Sequence, residues 1–254
     1  MPSVDLNCDC GESFGAYHMG DDAAMLEIVT SANVACGFHG GDPEIMAETF
    51  RIAKEKGVAI GAHPSFPDLW GFGRRRLPFT NGEVERLIAY QIGAAQALAA
   101  YVGHKLSYVK VHGALSNIAM DEPETARAIA RAIKAVDPSL VFLAVAATEL
   151  ETGGLAEGLP IAREIYADRA YTDKGRLVSR SLEGAVLHDA EFAAKRVVSM
   201  IAEGAVIAVS GQRLPVGIDS VCVHGDNPNA VAMAKTVRAH LEAAGIVVKP
   251  FVAH

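Results

Sequence analysis

Val109-Lys110-Val111-His112-Gly113 is an apolar strand-like run that stops at a histidine beside glycine, and similar endings recur along the chain. They are Ala35-Cys36-Gly37-Phe38-His39-Gly40, Ile60-Gly61-Ala62-His63-Pro64 and Val221-Cys222-Val223-His224-Gly225. A further segment, Val4-Asp5-Leu6-Asn7-Cys8-Asp9-Cys10-Gly11-Glu12, puts amide and carboxylate groups where the others put histidine. In a barrel of parallel strands wrapped by helices, every strand C-terminus opens onto one rim, so polar groups distant in sequence share a pocket there. The repeated ending predicts such a barrel, with an enzyme site at its mouth.

Working outward, strand-like runs near residues 3–8, 30–36, 58–62, 107–112, 140–146, 162–167 and 219–224 alternate with helical patterns. This predicts a seven-stranded parallel β/α barrel of the α/β class. Asp42-Pro43-Glu44 opens one helix and Gly57 closes it; Asp121-Glu122-Pro123-Glu124 opens another. Helical spacing also covers 83–102, 189–203 and 228–244, while 205–216 reads as either a short strand or a loop. No composition shift or Gly/Ser/Pro-rich linker divides the chain, so residues 1–254 are expected to form a single domain.

The net charge of −7, without a Lys/Arg stripe, argues against nucleic acid and anionic membranes as partners. No apolar run reaches the ~20 residues that span a bilayer, and no signal-peptide pattern opens the sequence. A cytoplasmic protein is expected, with Cys8, Cys10, Cys36 and Cys222 as reduced thiols in apolar segments.

Successive strand residues point to opposite faces. Asn7 and Asp9 therefore share one face of the first strand, and Leu6, Cys8 and Cys10 the other. Lys110 and His112 oppose Val109 and Val111; His63 opposes Ile60 and Ala62; His224 opposes Val221 and Val223, and continued alternation adds Asp226 to its side. Imidazoles supply a base near neutral pH or a metal ligand, and carboxylates supply a base or charge for a cation. Asp9, His39, His63, His112, His224 and Asp226 thus make a candidate hydrolytic centre with or without a divalent metal; each alone reads more readily as a hydrogen-bonded structural residue, and it is their convergence on one rim that favours the functional reading for the set. Lys110 either supports an anionic group or forms an ion pair inside the barrel with Glu164. The loop 64–79, with Trp70, Arg74, Arg75 and Arg76, reads as a lid or as a solvated charge cluster. Asp168, Arg169 and Arg180 read as substrate binders, the arginines suited to a carboxylate, or as surface ion pairs.

D-L-N-C-D-C-G-E at Asp5 to Glu12, S-A-N-V-A-C-G-F-H-G-G-D at Ser31 to Asp42 and G-V-A-I-G-A-H-P-S-F-P-D at Gly57 to Asp68 resemble the LamB/YcsF lactam-utilisation family. So do V-K-V-H-G-A-L at Val109 to Leu115, A-D-R-A-Y at Ala167 to Tyr171 and V-C-V-H-G-D at Val221 to Asp226. The resemblance implies a barrel similar to the glycoside hydrolase/deacetylase fold. It also implies ATP-dependent opening of 5-oxo-L-proline to L-glutamate together with companion subunits B and C, with Mg accompanying ATP. A homo-oligomer is allowed.

Residues and resemblance together give an expected catalytic set of Asp9, Glu12, His63, Lys110, His112, His224 and Asp226. The expected substrate-binding set is Asn7, Asn33, His39, Arg74, Asp168, Arg169 and Arg180. Asp9, His39 and His63 are the metal candidates. Cys8 and Cys10 depart from the family pattern, as do Val111 and Ser116, which stand where proline and tyrosine are usual; Lys110, His112, Gly113 and Asn117 keep it. No Walker-type phosphate loop is present, which is compatible with ATP being handled partly or wholly by the companion subunits. The alternatives are a metal-dependent N-deacetylase of acetylated sugars and a non-catalytic lactam-binding subunit.

Overall fold

A computed structural model describes residues 2–225 and 229–252. In chain order the elements are β1 (Ser3–Cys10), α1 (Asp22–Leu26), β2 (Ser31–Ala35), α2 (Pro43–Lys56), β3 (Ala59–His63), α3 (Asn81–Tyr101), β4 (Leu106–Val109), α4 (Gly113–Ala119) and α5 (Pro123–Val136). There follow β5 (Val141–Val145), α6 (Glu149–Ala156), β6 (Ile161–Tyr166), α7 (Ala190–Glu203), β7 (Ala205–Ile207), β8 (Arg213–Pro215), β9 (Ser220–His224), α8 (Ala230–Ala243) and β10 (Val247–Val248).

All seven expected strand segments form strands, and they close on themselves. β1 pairs in parallel with β2 through Asn7 to Cys10 and with β9 through Asp5 to Asp9, completing the ring β1-β2-β3-β4-β5-β6-β9. Residues 205–216 hold the antiparallel pair β7–β8 instead of a barrel strand, and β10 pairs with Ser3 and Val4 of β1. The α2 start behaves as its sequence dictates, whereas α5 begins at Pro123 without a side-chain cap. Asp42 accepts from the backbone N–H of Glu44 and Ile45, and Gly57 ends α2 at φ 67, a left-handed conformation that glycine takes without steric cost. The expected Asp226 lies outside the described residues. No helix among the described residues is long and apolar enough to cross a membrane.

The side-chain parity holds. Leu6, Cys8 and Cys10 join the apolar core, and the four cysteines are buried free thiols. The barrel interior is polar and lies in tiers. Lowest is Asp5, which accepts from the Thr30 and Ser31 hydroxyls at 2.6 Å each and from Ser220. Burial pushes its carboxyl up to about 6, against the hydroxyls that lower it. Above it, Asn7 Nδ2 donates to Glu164 Oε1 (3.0 Å) and Ser220 Oγ (2.7 Å), and Asn33 Nδ2 donates to Asn7 Oδ1 (2.7 Å) and Asp9 Oδ1 (2.8 Å). Such groups are tolerated inside a barrel only because they satisfy one another.

Tyr108 fills this tier from β4, and its hydroxyl donates to Asn33 Oδ1 at 2.8 Å. Its ring occupies the space left by Gly61: a methyl there would sit 2.3 Å from Cε2 of the ring. Gly61→Ala is therefore expected to destabilise the fold by about 1–3 kcal/mol, the usual range for overpacking, as read from urea unfolding. A midpoint equal to wild type would show that Tyr108 moves aside freely.

Candidate active site

The C-terminal rim opens into a cavity of about 430 Å³ whose lining includes Asp9, His63, Lys110, His112, Tyr166 and His224. Arg74, Arg169, Arg176 and Arg180 also border it, so the mouth is cationic although the chain as a whole is anionic.

At its floor lies a buried ion-pair system. Lys110 Nζ reaches Asp9 Oδ1 at 2.8 Å, Glu164 Oε1 at 2.9 Å and Cys222 Sγ at 3.0 Å. Burial pushes the ammonium pKa down, but Asp9, Cys222 and Glu164 outweigh this and hold it well above its ordinary value. Burial likewise pushes the Asp9 carboxyl up, and Lys110 and His63 overcome it and hold it well below the usual carboxylate range. Asp9 is a fixed negative charge and a weak base. The three protons of Lys110 all point at protein acceptors, so it acts on a ligand as a point charge.

His224 stands apart from this pair. Its Nδ1 is 2.8–2.9 Å from both oxygens of Asp168, and its ring stacks on Tyr166 with centroids 5.4 Å apart. Burial raises the Asp168 pKa, and the facing imidazole outweighs it, holding the carboxyl below its usual value. A carboxylate on Nδ1 fixes the tautomer that leaves Nε2 with the lone pair, the arrangement a general base requires.

A third group is set on the ends of β1, β2 and β3 and the turn after β4. His63 Nδ1 donates to the Lys110 carbonyl at 2.8 Å, and His112 Nε2 donates to the Phe72 carbonyl at 2.8 Å. Phe72 holds that carbonyl in place with φ 53, a left-handed backbone unusual for an aromatic residue. His39 stacks on His112 with centroids 3.7 Å apart and meets Glu12 Oε1 through Nε2 at 3.2 Å. Burial, reinforced by the neighbouring imidazoles, holds His39 and His112 well below their ordinary pKa. Ligand atoms of Glu12, His39, His63 and His112 all lie within 4.8 Å of one another.

A family model described as the LamB/YcsF family matches residues 4–254. The chain belongs to the LamB/YcsF family. A protein of Gluconobacter oxydans (strain 621H), named as the A subunit of 5-oxoprolinase, is 62% identical over 247 residues, covering 97% of each chain. The crystal structure of a lactam utilization protein from Thermus thermophilus superposes with a TM-score of 0.92 at 46% identity, covering 97% of this chain and 99% of that one. A T48 deacetylase superposes at a TM-score of 0.53 with 12% identity, over 98% of this chain and 88% of the other, a likeness of fold alone.

In this LamB/YcsF barrel the expected site residues divide by depth. Asp9, His63, Lys110, His112 and His224 border the cavity, as do Arg74, Arg169 and Arg180. Asn7 and Asn33, expected to bind substrate, are fully buried in the tier below Asp9; strand parity fixed their face and left their depth open. His39 and Glu12 pack behind His112 and are not among the cavity's lining residues. Asp168 faces His224. Arg169 directs Nε to the Ala185 carbonyl and Nη2 to the Val178 carbonyl, so much of its donor capacity braces the loop that follows β6. Cys222, beneath the cavity, and Tyr166 and Arg176, on its lining, were not among the site candidates read from the sequence. Cys222 shares the strand face of His224, a parity signal hidden by its apolar neighbours; Arg176 reaches the cavity from a loop without periodicity. The loop 64–79 is neither purely lid nor purely solvated: Trp70 is 98% exposed, whereas Phe72 and Gly73 pack on the imidazoles.

Proposed function

We propose that this chain opens the lactam ring of 5-oxo-L-proline to give L-glutamate, the activity in the name of its relative, as the A component of an assembly with companion subunits B and C. The observation that carries the reading is the His224–Asp168 pair, placed at a cavity that also presents the Asp9–Lys110 pair and a rim of arginines. Arg74 and Arg180 hold the substrate carboxylate. His224 takes a proton from water as the oxygen bonds to the ring carbonyl carbon, then returns it to the ring nitrogen as the C–N bond breaks. Lys110, with its protons committed, keeps Asp9 ionised and contributes a fixed positive charge beneath the carbonyl.

A lactam is resistant to water at neutral pH, and ATP supplies the activation: its γ-phosphoryl group passes to the lactam oxygen with release of ADP, and inorganic phosphate leaves after water has added to the activated ring carbon. The lack of a Walker-type loop in the sequence is compatible with Mg-ATP being handled partly or wholly by the companion subunits. Reduced thiols and ATP use fit a cytoplasmic location. Glutamate formation from 5-oxo-L-proline and ATP is expected when this protein is mixed with subunits B and C, and from neither part alone. Glutamate from the B and C pair by itself would make this chain accessory; none from a mixture of folded components would remove 5-oxoproline as the substrate.

A further inference from the structure

We propose that Glu12, His39, His63 and His112 bind one divalent transition-metal ion of the zinc type. This set shares His39 and His63 with the candidates read from sequence, and replaces Asp9 by Glu12 and His112.

The ring protons decide which nitrogens hold lone pairs. His63 spends its Nδ1 proton on the Lys110 carbonyl and His112 spends its Nε2 proton on the Phe72 carbonyl. In the neutral rings, His63 Nε2 and His112 Nδ1 then carry lone pairs, and these two atoms face each other 3.1 Å apart. Two acceptors at that distance need a cation between or beside them. Backbone carbonyls that take the outer ring proton are also the second-shell pattern of metal-binding histidines.

The spacing approaches that of an ion's ligand shell, with the more distant of the four atoms, within 4.8 Å of one another, closing inward on binding. Zinc bonds of about 2.0–2.1 Å in tetrahedral geometry put neighbouring ligand atoms about 3.3 Å apart. The separations here are 3.1 Å for His63 Nε2 to His112 Nδ1, 3.2 Å for His39 Nε2 to Glu12 Oε1 and 3.7 Å for His112 Nδ1 to Glu12 Oε1. A proton links two of these atoms; an ion accounts for the convergence of all four. Three imidazoles with one carboxylate form a donor set suited to zinc or cobalt rather than to magnesium or calcium. His39 is the least anchored member, since its buried Nδ1 has no hydrogen-bond partner. Four protein ligands would close a tetrahedral shell, so the ion would tie the ends of the first four barrel strands together beside the cavity. Asp9 Oδ2, 3.4 Å from His63 Nε2, lies beside the set and balances its charge.

The test uses the full-length protein stripped with a chelator, titrated with Co²⁺ and followed by its visible ligand-field spectrum, with metal content measured by mass spectrometry after zinc loading. One equivalent is expected, with tetrahedral-type absorption. His63→Ala and His112→Ala should weaken binding by more than the roughly 10–100-fold typical of second-shell changes, and His39→Ala by less than either. Glu12→Gln, a near-isosteric change checked for folding by circular dichroism, should alter the cobalt spectrum. No stoichiometric metal on folded wild-type protein would overturn the site. A spectrum altered by Asp9→Asn and untouched by Glu12→Gln would overturn the ligand set. Neither readout depends on 5-oxoproline, so failure here leaves the substrate reading standing, and failure of that reading leaves the metal site standing.

Discussion

Replacing Lys110 with methionine is expected to lower both stability and turnover sharply, with a stability loss that shrinks as the solution is acidified. The side chain is only 2% exposed and is the cation shared by Asp9 and Glu164. Removing one partner of a buried ion pair costs about 3–5 kcal/mol, because the charges left behind are desolvated and unpaired. For a chain of this size that corresponds to a fall in Tm of roughly 6–20 °C. Loss of a preorganised charge at a reacting centre lowers kcat by about 10²–10³-fold.

The pH dependence follows from Asp9. In the wild type its folded pKa lies below the unfolded value, so its contribution is present above the unfolded pKa and is lost as pH falls through the folded one. Without Lys110, burial dominates and the folded pKa moves above the unfolded value; stability is then lost as pH rises through it. The gap between variant and wild type should narrow from about pH 7 to pH 5 in thermal melts. A gap independent of pH would mean that Lys110 stabilises by packing alone.

The second large effect concerns the imidazole over the cavity. Asp168→Asn preserves shape but removes the charge that fixes the proton on His224 Nδ1. An amide also permits the opposite tautomer, in which Nε2 holds the proton and accepts none. The expected result is a loss in kcat of about 10²–10⁴-fold with KM little changed, measured in the reconstituted three-component reaction. Unchanged circular dichroism would separate this from misfolding. A rate near wild type would remove His224 as the base.

The barrel was legible because its strands are short apolar runs with a period of two and a shared ending. The same period placed Asp9 inward and Cys8 outward correctly. What it left open is height along the strand: Asn7 and Asp9 share a face, yet one lies in the sealed interior and the other at the cavity floor, a difference set by register with neighbouring strands. The short helices were hidden for local reasons. α4 has seven residues, too few to display a period, and α6 contains Gly153 and Gly154, which pack close against Ala126 and against Ile161 and Phe142. The facing nitrogens of His63 and His112 were beyond sequence reading, since their orientation depends on two backbone carbonyls, one of them from an irregular loop.

The pairing of β1 with both β2 and β9 also bears on how the chain is made. During ribosomal synthesis β2 emerges soon after β1, but the strand for the other edge lies roughly 210 residues downstream, about 10–40 s later at ordinary elongation rates. Until then the nascent polypeptide carries an open row of backbone donors and acceptors beside an interior rich in carboxylate and amide groups. An unclosed edge of this kind invites pairing with other chains. Its protection during translation, by a chaperone or by slow local dynamics, is therefore a requirement for production of the protein that the closed barrel conceals.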